Sequence, residues 1–568
     1  MALRRIGRAA APWAAKEICV PEPKTDPRRP AAPAAWWQSG VIYQVYPRSF
    51  QDSDGDGVGD LEGIRRRLPH LVELGVDAVW ISPIYPSPMA DFGYDVADYT
   101  GIDPLFGSLE DFDSLVREAK ALGLKVILDL VPNHTSIAHP WFQEASSRRG
   151  SPKRDWYIWR DPGPDGGPPN NWRSEFGGSA WAYDEASGQY YYHAFLSAQP
   201  DLNWRNPEVA AAIHEVMRFW LRRGVDGFRV DVIWHLMKDK DFRDNPPNPH
   251  WREGMNPYAQ VLPVHTTDLD EVHDVIAGLR QVVDEFDDRL LIGEIYLPVE
   301  RLGAYYGDLD EAHLPFNFAL LEVAWEARAV EDLIARYEKV VPPGGWPNWV
   351  LGNHDRPRVA SRLGPDQARV AAMLLLTLRG TPTLYYGDEI GMTTVPIPPD
   401  QIQDPYEKNV PGLGLGRDGV RTPMPWDGTH NAGFTDGTPW LPLDANFPEN
   451  NVMQHRVSPT SMYNLYRTLL RLRRAHPALA VGAYVPVAAT GDLLIYGRQQ
   501  GDERILIALN MGDEPRLASF GAPVAGALLA STLGDRTGEW IADEIALRAH
   551  EGVMVELAPG VPLPQAAD

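Results

Sequence analysis

What most limits the fold of this 568-residue chain is a rhythm: short apolar stretches alternate with longer amphipathic ones over much of its length. The apolar stretches lie at residues 41–46, 78–82, 126–130, 227–233, 290–294, 315–318, 349–351 and 383–386, and helical periodicity fills segments such as 61–74, 109–122, 207–223 and 268–286. Strands spaced this way are covered by helices outside and by one another inside, so they read as apolar throughout. Eight such units predict an α/β fold, a (β/α)8 barrel. The rhythm first breaks at 135–204, a stretch rich in Trp, Gly and Pro that reads as a subdomain inserted after the third strand. A second irregular region, 388–459, precedes a helix near 462–474. Beyond 481, short segments such as 493–496 and 505–509 predict a C-terminal antiparallel β-sandwich. The expected organisation is a barrel from 36–134 and 205–480, subdomain B at 135–204, a β domain at 481–568, and a disordered tail at 1–35.

Chemistry-bearing residues collect at one end of the apolar stretches. Asp129, Asn133 and His134 follow the third, Asp231 ends the fourth, Glu294 ends the fifth, and His354 and Asp355 follow the seventh. In a parallel barrel these are the strand ends where catalytic groups are carried. Arg229 and Asp231, two apart, face the same way, and a guanidinium beside a carboxylate keeps it ionised and fixes its direction. Three carboxyl groups converging on one cavity raise one another's proton affinity, so one stays protonated while its neighbours ionise. Retaining glycoside cleavage needs such a pairing, with an ionised nucleophile and a protonated acid about 5–5.5 Å apart. Asp231 is the expected nucleophile, and Glu294, with no cation beside it in the sequence, the expected acid; Asp355 would grip sugar hydroxyls. The histidines lack metal-ligand spacing, so no catalytic zinc is expected.

The formal net charge of -24 argues against nucleic acid or an anionic membrane as partner and favours a small neutral substrate. Cys19 is the only cysteine, which excludes an intrachain disulfide, and no apolar run is long enough to span a bilayer. A cytoplasmic monomer or homodimer is expected. Asp52, Asp54, Asp56 and Asp60 alternate with small residues as in the first half of a calcium loop, but the twelfth position is Gly63, where an EF-hand needs Glu. The expectation is one structural Ca2+ or Mg2+ held by these four carboxylates and the Val58 carbonyl, and no organic cofactor.

The blocks 129–134, 227–231, 293–294 and 353–355 resemble the four hallmark motifs of the α-amylase superfamily, glycoside hydrolase family thirteen. The blocks 199–203, 90–95 and 421–426 are similar to its α-glucosidase and oligo-1,6-glucosidase branch, which also has a metal site like the one above. The resemblance implies Asp231 as nucleophile, Glu294 as acid/base and Asp355 as transition-state stabiliser. It places Asp91, Tyr94, His134, Phe195, Gln199, Arg229, His354 and Arg421 around a non-reducing-end glucose. An Asp91–Arg421 ion pair would close such a pocket and favour chain-end attack, and Tyr94 and Phe195 offer ring faces to the sugar. Val232 in this branch goes with α-1,6 activity, implying a retaining exo-acting α-glucosidase for short α-glucosides. Its rivals are a transglucosylase or disaccharide isomerase using the same intermediate, and the non-catalytic transporter-associated members, which have a membrane helix and lack the acids.

Overall fold

In the computed structural model, residues 34–520 and 523–564 are described; all but the last two residues of the expected tail lie outside them. Eight parallel strands form a nearly closed barrel: β1 (Ile42–Val45), β2 (Ala78–Ile81), β3 (Lys125–Leu130), β4 (Gly227–Val230), β5 (Leu290–Gly293), β6 (Leu314–Pro315), β7 (Asn348–Val350) and β8 (Thr381–Tyr385). Neighbours pair in order around the ring and β8 returns to β1; β6 and β7 stay unpaired with each other. The stretch at 315–318 is a strand only at its start. Likewise, the one at 227–233 leaves the sheet after Val230 and turns into a short 3-10 helix, Ile233–His235.

Alternate strand residues enter two separate cores. Ile42, Trp80, Ile127, Leu290 and Ile292 fill the barrel interior, whereas Tyr43, Val79, Val126, Leu128 and Leu291 pack outward with the helices. This parity decides the site. Gln44, Asp129, Arg229 and Glu294 share the inward parity of their strands, so they point into the barrel at its C-terminal mouth.

The helices carry local start signals. Leu61–Leu74 begins after Asp60, whose side chain accepts the Gly63 N–H at 2.7 Å, and Leu109–Ala121 begins with a Ser108/Asp111 capping box. Pro207–Arg222 places proline in its first turn behind an Asn206 cap.

The insert contains a three-stranded antiparallel sheet, with Gln189–Tyr192 between Trp159–Arg160 and Trp181–Asp184. Trp172 and Trp181 pack with Ile158 and Tyr192 as its core, so these rings are structural. The C-terminal strands, Ala483–Thr490 through Gly552–Leu557, hydrogen-bond in one antiparallel order, and residues from both halves of that sheet share one core. Leu493 and Ile495 face its own core, while Leu494 and Tyr496 face the barrel's helices.

Candidate active site

Strand register builds the site. Asp129 pairs with Arg229 across β3 and β4, and Val230 pairs with Gly293 across β4 and β5, so the next residues, Asp231 and Glu294, stand side by side. Arg229 is the hub beneath them. Its Nη1 donates to Asp129 Oδ1 at 2.8 Å and Asp231 Oδ1 at 2.7 Å, and its Nη2 lies 2.8 Å from Glu294 Oε2. Glu294 Oε2 also accepts the Val232 N–H at 3.0 Å. That contact comes with a left-handed backbone at Val232, φ +39°, which for a β-branched residue stores roughly 1–3 kcal/mol.

Three carboxylates share this one guanidinium in a site nearly closed to water. Burial pushes the Asp231 carboxyl well up, Glu294 adds to the shift, and Arg229 only partly offsets it. Glu294 is raised by burial against the pull of Arg229, with the charge of Asp355 adding to the rise. Asp129 is lifted to about 6, again by burial first. The charge of Glu294 raises Asp231, and burial raises both, so the pair favours holding a proton between them. The sequence expectation that Asp231 alone has a cation beside it is therefore corrected: adjacent strands bring Glu294 to the same guanidinium.

Asp355 is held differently. Its Oδ1 accepts from Arg421 Nη2 at 2.9 Å and Arg417 Nη1 at 3.4 Å, and its Oδ2 lies 3.2 Å from His354 Nε2. Burial alone would raise this carboxyl, but His354, Arg421 and Arg417 outweigh it and keep it below the usual carboxylate range. His354 stacks on Tyr94 at 5.4 Å between ring centroids, faces Gln44 Nε2 across 2.8 Å at its Nδ1, and is pushed well down by burial. Tyr94 in turn donates to Asp129 Oδ2 at 3.1 Å, joining the two carboxylate clusters.

The expected Asp91–Arg421 pair is not formed. Asp91 pairs with Arg417, Nη2 to Oδ1 at 2.6 Å, and the same Nη2 reaches Asp404 at 2.7 Å. Arg421 is fully buried, bonded to the His354 carbonyl and to Asp355, so it supports the pocket from behind. Both arginines flank one 3-10 turn, Asp418–Val420, and sequence spacing had no means of choosing between them. The other expected residues do gather: Gln199 Nε2 lies 3.3 Å from Asp91 and 3.2 Å from His134 Nε2, Phe195 sits 5.3 Å from His134, and Val232 borders Glu294. Sequence reasoning missed Arg417, Asp404 and Gln44. Gln44 alone had a signal, its inward parity two residues after Ile42.

In the acidic loop, oxygens of Asp52, Asp54 and Asp60 all lie within 4.8 Å of one another; Asp56 is outside this cluster, and its Oδ1 accepts the Val58 N–H at 2.7 Å. Asp52 accepts three backbone N–H groups, from Asp54, Gly55 and Gly57. Three crowded carboxylates offering only hard oxygens form a donor set that fits Ca2+ or Mg2+.

Residues 44–482 match the family described as alpha amylase, catalytic domain. A probable α-glucosidase of Rhizobium meliloti is 43% identical, over 84% of this chain and 90% of its own. An oligo-1,6-glucosidase of Heyndrickxia coagulans is 38% identical, over 86% and 94%. Among solved structures, an α-glucosyl transfer enzyme superposes with a TM-score of 0.88 at 40% identity, covering 93% of this chain and 100% of its own. With the family match spanning most of the barrel and its hallmark carboxylates converging at the barrel mouth, the chain belongs to the α-amylase family.

Proposed function

We propose that the protein is a retaining, exo-acting α-glucosidase that releases α-glucose from the non-reducing end of short α-glucosides, including isomaltose-type ones. The observation that carries this reading is the side-by-side placement of Asp231 and Glu294 on one guanidinium. Inversion would need carboxyls about 6.5–9.5 Å apart to admit a water, and two carboxylates held within 2.8 Å of nitrogens of one guanidinium favour the closer spacing of a retaining pair.

When a glucoside enters between the pair, Glu294 takes the shared proton and Asp231, anchored by Arg229, is left ionised. Asp231 attacks the anomeric carbon; the glycosidic C–O bond breaks, and its oxygen leaves with the Glu294 proton. Glu294, now a carboxylate, then takes a proton from water, whose oxygen displaces Asp231 and restores the α-anomer. Asp355 remains anionic throughout, suited to hydroxyls near a ring that is gaining positive charge. The Asp91–Arg417 pair, with Gln199 and His134, closes the end of the pocket and favours a terminal glucose over a mid-chain one. Asp52, Asp54 and Asp60, with Asp56 and the Val58 carbonyl, would hold a divalent ion whose role is to fix the loop. The protein would work as a cytoplasmic monomer or homodimer.

A second reading, glucosyl transfer to another sugar, is favoured by the 40% identity to a transfer enzyme. It differs only in what intercepts the glucosyl-Asp231 intermediate. Initial rates on isomaltose, maltose, sucrose, trehalose and soluble starch, with free glucose and longer oligosaccharides both quantified, test the two together. Starch as the best substrate would overturn the exo reading, and longer products dominating at low sugar concentration would favour transfer.

A further inference from the structure

A cavity of about 470 Å3 lies apart from the carboxylate pocket, between the insert and the barrel loops at 202–205 and 236–242. Its lining contains six cationic residues, Arg149, Arg154, Arg160, Arg205, Lys238 and Lys240, against two acidic ones, Asp155 and Asp239. That excess is out of character for a chain of net charge -24. Three of the six cations are not free: Arg149 pairs with Asp161, Arg205 with Glu271 and Lys238 with Asp201, while the acidic Asp239 is taken by Arg243 outside the lining. Arg154, Arg160 and Lys240 make no ion pair among the described residues.

Two of these three are set in place by stacking. The Arg154 guanidinium lies 3.3 Å from the centroid of the Trp159 ring, and that of Arg160 lies 3.4 Å from the centroid of Phe242. Arg154 spends its terminal nitrogens on neutral acceptors, the Ala145 carbonyl, Ser187 and Gln189. Burial accordingly lowers its pKa to about 10, and the charge remains. The unpartnered buried polar atoms of this lining are Arg154 Nε and Trp159 Nε1, with Trp159 only 7% exposed. Both are donors. A cavity lined by three cations without ion pairs, against one such carboxylate, Asp155, matches a ligand that is anionic and rich in acceptor oxygens. Its volume, within the usual range for small-molecule sites, exceeds the need of a bare inorganic anion, and its apolar floor, including Leu236 and Met237, suits an organic body.

We propose that this cavity binds a phosphate monoester of a small sugar or polyol, with Arg154, Arg160 and Lys240 on the phosphate. The site does not rest on the hydrolase reading, because none of its residues touches the carboxylates. Isothermal titration at constant ionic strength, with glucose 6-phosphate, inorganic phosphate and glucose as separate probes, tests it on wild type, an R154Q/R160Q double variant, and R148Q. Arg148 is exposed and outside the lining, so R148Q removes a nearby charge only. Thermal melts establish that each variant is folded, and K240Q stands in if the double variant is not. The expected result is saturable 1:1 binding of glucose 6-phosphate, tighter than that of inorganic phosphate. It should be at least about tenfold weaker in the double variant or K240Q and unchanged in R148Q. Absence of saturable binding, equal binding by the cavity variants, or displacement by glucose, which would put the ligand in the carboxylate pocket, would each overturn the proposal.

Discussion

Two clusters of arginine and carboxylate meet at the barrel mouth, and they treat protons in opposite ways. In the first, one guanidinium, Arg229, serves Asp129, Asp231 and Glu294, and all three carboxyls are raised. In the second, two guanidiniums, Arg417 and Arg421, serve Asp91, Asp355 and Asp404, and both Asp355 and Asp404 are held low. Asp404 is as buried as Asp129, yet one carboxyl is held low and the other raised, so the ratio of cations to anions decides whether a proton is retained. The first cluster can then donate and accept a proton, and the second offers a fixed negative charge.

The largest effect is expected from removing the nucleophile. Asp231→Gly should lower kcat by at least about four orders of magnitude, as loss of a covalent catalyst does, and azide should partly restore turnover by yielding the β-glucosyl azide. Restored product of α configuration would break the role given to the first cluster. Next, Glu294→Gln should cost about 10²–10⁴-fold on disaccharides, and much less on aryl glucosides whose leaving groups need little protonation. Equal losses on both substrates would mean that Glu294 is not the proton donor.

Arg417→Gln tests the comparison itself, because it leaves the second cluster with one guanidinium. A lost cation disfavours the carboxylate form, so the pKa of Asp355 rises, and the acid limb of kcat/KM should move to higher pH while KM increases. An unmoved limb would show that the cation ratio is not what holds Asp355 low. Asp129 carries the opposite sign in stability. Its folded pKa, about 6, lies above the ordinary value of 3.8, so its stabilising contribution is complete below that ordinary value and is lost as pH rises through about 6. Asp129→Asn should flatten the fall of Tm across that window. The smallest effect on catalysis belongs to the acidic loop: chelator should lower Tm by a few degrees, the scale of about 1–2 kcal/mol of ligand linkage, with specific activity nearly unchanged well below the melt. No shift together with no bound divalent ion in elemental analysis would remove the metal.

The first cluster was far more legible in the sequence than the second. Asp129, Arg229, Asp231 and Glu294 lie on or directly after strands whose apolar runs announce them, and parallel register places neighbouring strand ends together. The partners of Asp355 come from a loop after the last barrel strand, and Asp91 meets Arg417 across 326 residues of chain. No periodicity orders such a loop, so the arginine four residues later was equally plausible, and Asp404, well outside any motif, gave no signal. β6 was misjudged for a related reason: at the gap in the ring its pairing is on one side only, and just Leu314–Pro315 remain in the sheet.

The most direct test of the Asp231 role is to trap the intermediate. The wild-type protein is incubated with 5-fluoro-α-glucosyl fluoride, digested, and its peptides read by mass spectrometry. A glucosyl adduct on the peptide containing Asp231, absent after pre-incubation with isomaltose, is the expected result. An adduct on Glu294 or Asp355, or turnover with no adduct and β-glucose as the first-formed product of an ordinary substrate, would contradict it.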